Sequence, residues 1–319
     1  MISAFSALAA VLVALATPHV PPGYTATVYA RGLVHPTALV VGPSGFIYAT
    51  EQAGRVVSFS QGASRPKVFA SGLADSTLGL VFVGGRLLVS DKGRVTAFTD
   101  ANRDRVAERR TVLLSGLPNK LHQQDNLVLG PDGRVYLGEG SSCNACAPKP
   151  REASILSFRP DGKDVKVVAT GLRNPFGLAF DAKGALWATD NGRDDLDDRV
   201  PDELNRIVPG KRYGFPGCYG IRKGTSCAGS EPAVAELEPH SSADGLAFGP
   251  DGAAYIALWG TYFGTHHGRY VVRVDVSGAK AKVTRFATGF DHPLAVLFLK
   301  DGAMLVADWG TGIVWRVAR

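Results

Sequence analysis

The sequence contains six copies of one unit, in which an apolar strand, a glycine-containing turn and a second apolar strand follow one another. Glycine supplies the positive φ that a tight hairpin needs. Two further strands follow in most copies, as in "GRVVSFS" and "PKVFAS". Four antiparallel strands at this interval are typical of propeller blades. The turn glycines lie 40 to 68 residues apart, at Gly45, Gly85, Gly133, Gly184, Gly252 and Gly302.

The two ends of the chain complement each other. The sixth copy ends at Arg319 after three strands, whereas the strand "YTATVYAR" from Tyr24 precedes the first copy and belongs to no other unit. We expect this strand to supply the missing outer strand of the last blade and so to protect the sheet edges. The sequence thus predicts an all-β fold, a six-bladed β-propeller of four-stranded antiparallel blades. It would form a single domain over residues 24–319.

The N-terminal segment predicts export. An apolar run over Ala4–Ala16 ends in Ala-Leu-Ala, which is typical of a signal peptide of about residues 1–16. The run is too short to span a bilayer, so we expect a secreted or extracytoplasmic protein without a membrane span. The formal charge is +6 but no run of five basic residues exists. Nucleic acid is therefore not expected as a partner, and the chain is expected to be a monomer or a homodimer.

The four cysteines fall in two close pairs, Cys143 with Cys146 and Cys218 with Cys227. In an oxidising compartment each pair is expected to close its own loop as a disulfide. A four-cysteine zinc site is the alternative, although the second spacing is wide for a zinc knuckle.

Residues that precede the first strand of each blade are expected to open onto one face, around the central channel. His122, Arg173, Asn174, His240 and His292 hold this position in the third to sixth blades. Imidazole, guanidinium and amide groups at one channel can bind an anion and move a proton. Hydrogen bonds to loop carbonyls are the alternative role. Pro175 makes the turn that carries Arg173 rigid.

Several motifs resemble those of the soluble PQQ-dependent sugar dehydrogenases, a family that includes glucose, aldose and sorbosone dehydrogenases on six-bladed propellers. The resemblance is densest over Leu117–Pro216. It implies a secreted quinoprotein that oxidises a sugar or polyol by hydride transfer to PQQ, with an electron acceptor that the sequence does not identify. The motifs are "HQQDNLVLGPDGRVYLGEG", "GLRNPFGLAFD", "LWATDNGRDD" and "PDELNRIVPGKRYGFP".

The resemblance also implies roles for individual residues. His122 would be the general base, and Arg173 and Asn174 would hold the polar edge of the quinone and polarise the reacting oxygen. Backbone carbonyls of Gly192 and Arg193 would hold a Ca²⁺ ion on the quinone.

A second Ca²⁺ site is implied at Glu203 and at the carbonyl of Tyr213. Arg269 and His292 are the candidates for holding the carboxylates of the cofactor, and His240 is also expected to bind the cofactor.

The chain departs from the family at two positions. Leu121 stands where the glucose enzymes have an acidic residue before the base. Asp75 and Ser76 stand where they have a glutamine that binds the cofactor.

An acidic loop is another candidate metal site. Asp100, Asn102, Asp104 and Glu108 hold positions 1, 3, 5 and 9 of an oxygen-rich calcium loop. Arg105 replaces the glycine of position 6, so a structural Ca²⁺ site and a solvated loop remain alternatives.

Two other functions stay open. A gluconolactonase-like hydrolase would need carboxylates and an asparagine around one central metal, for which Asp190 and Asn174 are available. A non-catalytic propeller that binds a glycan or a protein is the other alternative. Trp259 and Trp309 follow second strands, where they either stack on sugar or pack in the core.

Overall fold

The computed structural model describes residues 16–261 and 266–319. The signal peptide predicted for residues 1–16 lies outside these ranges, apart from Ala16. The described residues form 26 β-strands and one 3-10 turn, Asp197–Arg199, with no α-helix among them. No helix in these ranges has the length and apolarity needed to cross a membrane.

Six four-stranded antiparallel sheets form the blades, as predicted. Strand β1 (Thr25–Ala30) precedes them. Blade 1 contains β2 (Pro36–Val41), β3 (Ile47–Glu51), β4 (Arg55–Phe59) and β5 (Lys67–Ala70), and blade 2 contains β6 (Gly79–Val83), β7 (Arg86–Asp91), β8 (Arg94–Thr99) and β9 (Arg109–Ser115). Blade 3 contains β10 (Gln124–Leu129), β11 (Val135–Glu139), β12 (Ser154–Phe158) and β13 (Lys166–Thr170).

The remaining strands complete the ring. Blade 4 contains β14 (Leu178–Phe180), β15 (Leu186–Asp190), β16 (Glu203–Ile207) and, after the small ribbon of β17 (Cys218–Tyr219) and β18 (Lys223–Gly224), β19 (Ala235–Glu236). Blade 5 contains β20 (Ala243–Phe248), β21 (Ala254–Leu258), β22 (Tyr270–Asp275) and β23 (Lys282–Thr288), and blade 6 contains β24 (Pro293–Phe298), β25 (Met304–Asp308) and β26 (Ile313–Ala318).

The N-terminal strand closes the ring, as predicted. Strand β1 pairs antiparallel with β26, so that Thr25 faces Ala318 and Val28 faces Trp315. The last blade therefore has the order β1-β26-β25-β24. Every blade is four strands wide as a result, and the exposed edge that a three-stranded blade would leave is paired.

Apolar side chains hold neighbouring blades together. Leu88 of blade 2 packs in one cluster with Leu137 and Phe158 of blade 3, and all three side chains are fully buried. Tyr255 of blade 5 and Trp315 of blade 6 share another cluster. Full burial of one such side chain contributes about 1.5–3 kcal/mol to stability. The interfaces between blades therefore stabilise the arrangement of the blades around the central channel.

Both predicted disulfides are confirmed. Cys143 pairs with Cys146 in the corner between β11 and β12, and Cys218 pairs with Cys227 next to the β17–β18 ribbon. No cysteine in the described ranges is free, so the four-cysteine zinc site is wrong.

Candidate active site at the mouth of the central channel

A cavity of about 830 Å³ opens where the first strands of the blades begin. Its lining comes from all six blades, including Thr37 of blade 1, Ser76 of blade 2 and Leu294 of blade 6. The residues that precede the first strands of blades 3 to 5 also line it, as the repeat predicted. The cavity is large enough for a cofactor together with a small substrate.

His122 lies in this cavity as a neutral base. Its Nδ1 lies 3.0 Å from the carbonyl oxygen of Ser141, which can only accept, so Nδ1 carries the proton. Nε2 is then the basic nitrogen, and it bonds to no donor in the described part of the chain. Burial lowers the pKa of His122 from 6.5 to about 4, and the charge of Arg173 adds to this effect. The imidazole is therefore uncharged at neutral pH.

Asn174 lies next to this base. A Cβ atom at Gly140 would lie 2.2 Å from Cβ of His122 and 2.8 Å from Oδ1 of Asn174, so only glycine lets the two approach there. The backbone N–H groups of Arg173 and Asn174 donate to the carboxylate of Asp190 at 3.0 and 2.7 Å. Oδ1 of Asn174 is buried and accepts no hydrogen bond from the described residues. The turn is thus fixed and carries a free acceptor beside the base.

Arg173 also lines the cavity, but its guanidinium is bonded to the protein. Nη2 donates to Asp194 at 2.6 Å and to Asn144 Oδ1 at 2.8 Å, and Nη1 donates to the carbonyl of Asn191 at 3.1 Å. Arg173 is the one Lys or Arg side chain among the described lining residues. The cavity therefore offers an anionic ligand a single guanidinium, most of whose donors are in use.

The corner of Gly192 and Arg193 follows β15 at the same mouth. The N–H of Gly192 donates to Asp202 Oδ1 at 2.9 Å, and the Arg193 guanidinium bonds to Asp195 and to the carbonyl of Pro216. Burial raises the pKa of Asp202 to about 6. Neither carbonyl of the corner accepts a hydrogen bond from the described residues, so both oxygens are available to a cation.

Glu203 and Tyr213 meet at a second cavity of about 20 Å³, which Gly192 and Arg193 also line. Glu203 accepts bonds from the N–H of Gly220 and from Asn205 Nδ2. Burial raises the pKa of Glu203 to about 7. The structure thus brings together the four residues expected around the two Ca²⁺ sites.

His240 and His267 face the acidic side of the main cavity. His240 Nδ1 lies 3.4 Å from Asp194 Oδ1, and His267 Nε2 lies 3.6 Å from Asp198 Oδ1. His267 also contacts Glu238 at 3.3 Å. His267 could not be identified from the sequence as a site residue, because its contact partners are distant in the chain.

Two predicted cofactor residues stand behind the residues that line the cavity. Neither Arg269 nor His292 belongs to the described lining of the cavity. The ring of His292 instead packs against Trp259, with ring centres 4.3 Å apart, and Trp309 packs on His35 at 4.0 Å. Both tryptophans pack in an apolar cluster and also line the cavity, so core packing is confirmed and stacking on a sugar stays a prediction. Aromatic rings thus occupy the side where basic residues were expected.

The acidic loop joins β8 to β9, at the opposite end of blade 2 from the channel mouth, because successive strands run antiparallel. Ligand oxygens of Asp100, Asp104 and Glu108 lie within 4.8 Å of one another. Asn102 Oδ1 accepts from the N–H of Asp104 at 2.9 Å. The predicted cluster therefore forms, although it is remote from the cavity.

Parts of the sequence are similar to one described family and to two curated proteins. A family described as a domain of unknown function, DUF7133, matches residues 62–212. An uncharacterized protein of Borreliella burgdorferi is 31% identical over 217 residues, covering 58% of this chain and 57% of that protein. Quinoprotein glucose dehydrogenase B of Acinetobacter calcoaceticus is 30% identical over 149 residues, covering 36% of this chain and 30% of that protein. The match therefore spans less than two thirds of either relative.

Solved structures share the whole fold. A calcium structure of a Trichoderma reesei carbohydrate-active enzyme of family AA12 has a TM-score of 0.81 at 18% identity, covering 95% of this chain and 97% of that one. The holo form of the pyranose dehydrogenase PQQ domain from Coprinopsis cinerea has a TM-score of 0.79 at 18% identity, with the same coverage. At this identity the likeness establishes the six-bladed propeller.

Proposed function

We propose that this protein is a PQQ-dependent dehydrogenase of sugars or polyols that works with Ca²⁺ outside the cytoplasm. The observation that carries the proposal is the neutral imidazole of His122, which lines the cavity beside Asn174 and whose basic Nε2 has no partner among the described residues. The partial likeness to a quinoprotein glucose dehydrogenase and the fold shared with a PQQ domain support it.

The cofactor fits one half of the cavity. The carbonyl oxygens of Gly192 and Arg193 accept no bond from the described residues and suit Ca²⁺, which prefers oxygen ligands. Nδ2 of Asn174 would donate to the polar edge of the ligand, because Oδ1 of the same amide is buried. The other half, around Trp259 and Trp309, offers flat rings instead of cations. We therefore expect Ca²⁺ to supply most of the positive charge that holds an anionic quinone here.

When bound, PQQ would accept a hydride from the substrate carbon. His122 Nε2 would take the proton of the substrate hydroxyl, while its Nδ1–H stays on the Ser141 carbonyl and fixes the ring. Arg173, held by Asp194 and Asn144, would keep the turn in place and add positive potential. Asn174 would orient the reacting hydroxyl.

The test is a titration of the Ca²⁺-loaded protein with PQQ, followed by absorbance, before and after addition of a panel of aldoses and polyols. Saturable binding followed by sugar-dependent reduction is expected. His122→Gln should retain binding and lose about 10²–10⁴-fold in the rate of reduction. His19→Gln, at an exposed position on the outer edge, is the matched control.

The outcomes separate the alternatives. Binding with an unimpaired rate in His122→Gln would refute the base. Failure of PQQ to bind in the presence of Ca²⁺ would refute the dehydrogenase and favour a binding propeller, in which Trp259 and Trp309 would stack on a sugar.

A further inference from the structure

Asp125 differs from every other buried carboxyl in the described ranges. It is 1% exposed, its Oδ2 is buried without a hydrogen-bond partner, and no described donor bonds to its other oxygen. The other buried aspartates and glutamates all accept hydrogen bonds, as Asp190 does from two backbone N–H groups. A buried carboxyl without any partner is costly, by several kcal/mol if charged. Its place in the channel wall therefore calls for a ligand.

Asp244 occupies the same position in blade 5 as Asp125 does in blade 3. The pairing of β10 with β11 shifts between Gln124 and Leu127, and the pairing of β20 with β21 shifts between Ala243 and Leu246. These irregularities take both aspartates out of the regular ladder, and both line the cavity.

Blade 4, which lies between the blades of these two carboxyls, carries two amide oxygens of the same kind. Oδ1 of Asn174 and Oδ1 of Asn191 are both buried and without a partner, and both residues line the cavity. Asn191 Nδ2 donates to Asp244 Oδ1 at 3.1 Å, which orients the amide. The backbone N–H of Asn191 donates to the carbonyl of Asn174, which fixes the two residues relative to each other.

Glycines bring the three blades close at this level. A Cβ atom at Gly138 would lie 2.0 Å from the carbonyl oxygen of Pro175 and 3.4 Å from Cβ of Asp125. A Cβ atom at Gly177 would lie 2.1 Å from the carbonyl oxygen of Asp244. The Asn174–Pro175 turn is thus in tight contact with blade 3, and blade 4 with blade 5.

No cation among the described residues forms an ion pair with this group. None of the ion pairs in residues 16–261 and 266–319 includes Asp125 or Asp244. Arg173, the one basic side chain of Lys or Arg type in the described lining, pairs with Asp194 instead.

We propose that the carboxyls of Asp125 and Asp244 and the amide oxygens of Asn174 and Asn191 bind a divalent cation in the wall of the channel. Two carboxylates and two amide carbonyls form a hard, all-oxygen donor set, which selects Ca²⁺, Mg²⁺ or Mn²⁺ over zinc or copper. Water would complete the coordination from the cavity side. The site uses side chains, in contrast to the backbone carbonyls of Gly192 and Arg193, and does not depend on the quinone.

The experiment measures Ca²⁺ binding to chelator-treated protein without PQQ, by calorimetry, in wild type, Asp125→Asn and Asp244→Asn. Asp161→Asn, in the exposed hairpin between β12 and β13, is the control matched for the charge that is removed. In parallel, Tb³⁺ replaces Ca²⁺, and its luminescence is excited through tryptophan, because Trp259 and Trp309 line the same cavity. Mg²⁺ and Mn²⁺ are then tested as competitors.

We expect both channel variants to bind one ion fewer per chain than wild type and to lose the tryptophan-sensitised luminescence, whereas Asp161→Asn retains both. Equal stoichiometry and luminescence in wild type and Asp125→Asn would overturn the proposal. Asp244→Asn loses hydrogen bonds and could fail to fold. Asp125→Asn loses none and keeps the size of the side chain, so this variant should fold and still test the proposal. Loss of one Ca²⁺ ion in the variants supports the cation site whether or not PQQ binds. The cation site and the proposed dehydrogenase function can therefore be refuted independently.

Discussion

Replacement of His122 by glutamine should make the protein less sensitive to acid. Burial and the charge of Arg173 disfavour the protonated imidazole in the folded state, and the nearby Asp194 and the Ser141 carbonyl offset this only in part. The unfolded chain therefore binds a proton at His122 at a higher pH than the folded chain does. Stability is fully present above pH 6.5 and is lost as the pH falls from 6.5 to about 4.

The magnitude follows from the two pKa values. Between 6.5 and about 4, at ~1.4 kcal/mol per pH unit, His122 lowers the free energy of unfolding by about 3 kcal/mol. His122→Gln lacks this titration, whereas the buried carboxyls titrate alike in both proteins and cancel in the comparison.

The assay is urea unfolding of wild type and His122→Gln at pH 7 and pH 4. Wild type should lose about 3 kcal/mol more than the variant, and His19→Gln serves as the control for removal of an imidazole elsewhere. NMR titration of the His122 ring should give a midpoint near 4. The same pH dependence in both proteins would refute the desolvated base on which the proposed reaction depends.

Three further predictions concern stability and metal. The double variant Cys218→Ser/Cys227→Ser should lose ~2–3 kcal/mol in urea unfolding, because the disulfide closes a loop with a sequence separation of 9; an unchanged midpoint would contradict this. Gly177→Ala should lower Tm strongly, since its Cβ would lie 2.1 Å from the Asp244 carbonyl, whereas Gly278→Ala, with its nearest contact at 3.5 Å, should not. Removal of Ca²⁺ with a chelator should weaken PQQ binding at least tenfold in fluorescence titration, and equal affinity would exclude the metal from the quinone site.

The number of blades and the end of the propeller that carries the site could be predicted, because both follow from hairpin signals in short stretches of sequence. Glycines with positive φ, such as Gly133 and Gly252 with φ of 76° and 74°, mark hairpins in the sequence itself. Strand order then dictates which end of each blade faces the channel. The outer strand of blade 4 was not predicted, since Ala235–Glu236 is two residues long and follows the ribbon of β17 and β18.

The electrostatics of the site could not be predicted, because they depend on pairs that are far apart in the chain. Arg173 is bonded by Asp194 and Asn144, 21 and 29 residues away, so its guanidinium is less available than its motif suggests. The motif "QQDN" likewise does not show that Asp125 lacks a hydrogen-bond donor, because that depends on which side chains of three blades surround it. His292 keeps its predicted position, yet its ring is held by Trp259.

The pairing of β1 with β26 has a consequence for the order of assembly. Thr25 leaves the ribosome early, but its partner Ala318 is made 293 residues later. Blades 1 to 5 consist of strands that follow one another and can form during synthesis, whereas the sixth must wait until β26 is made. Until then β1 has no partner. Nascent chains stopped before residue 313 should therefore remain open and sensitive to proteases, because only chains that include β26 can close the ring.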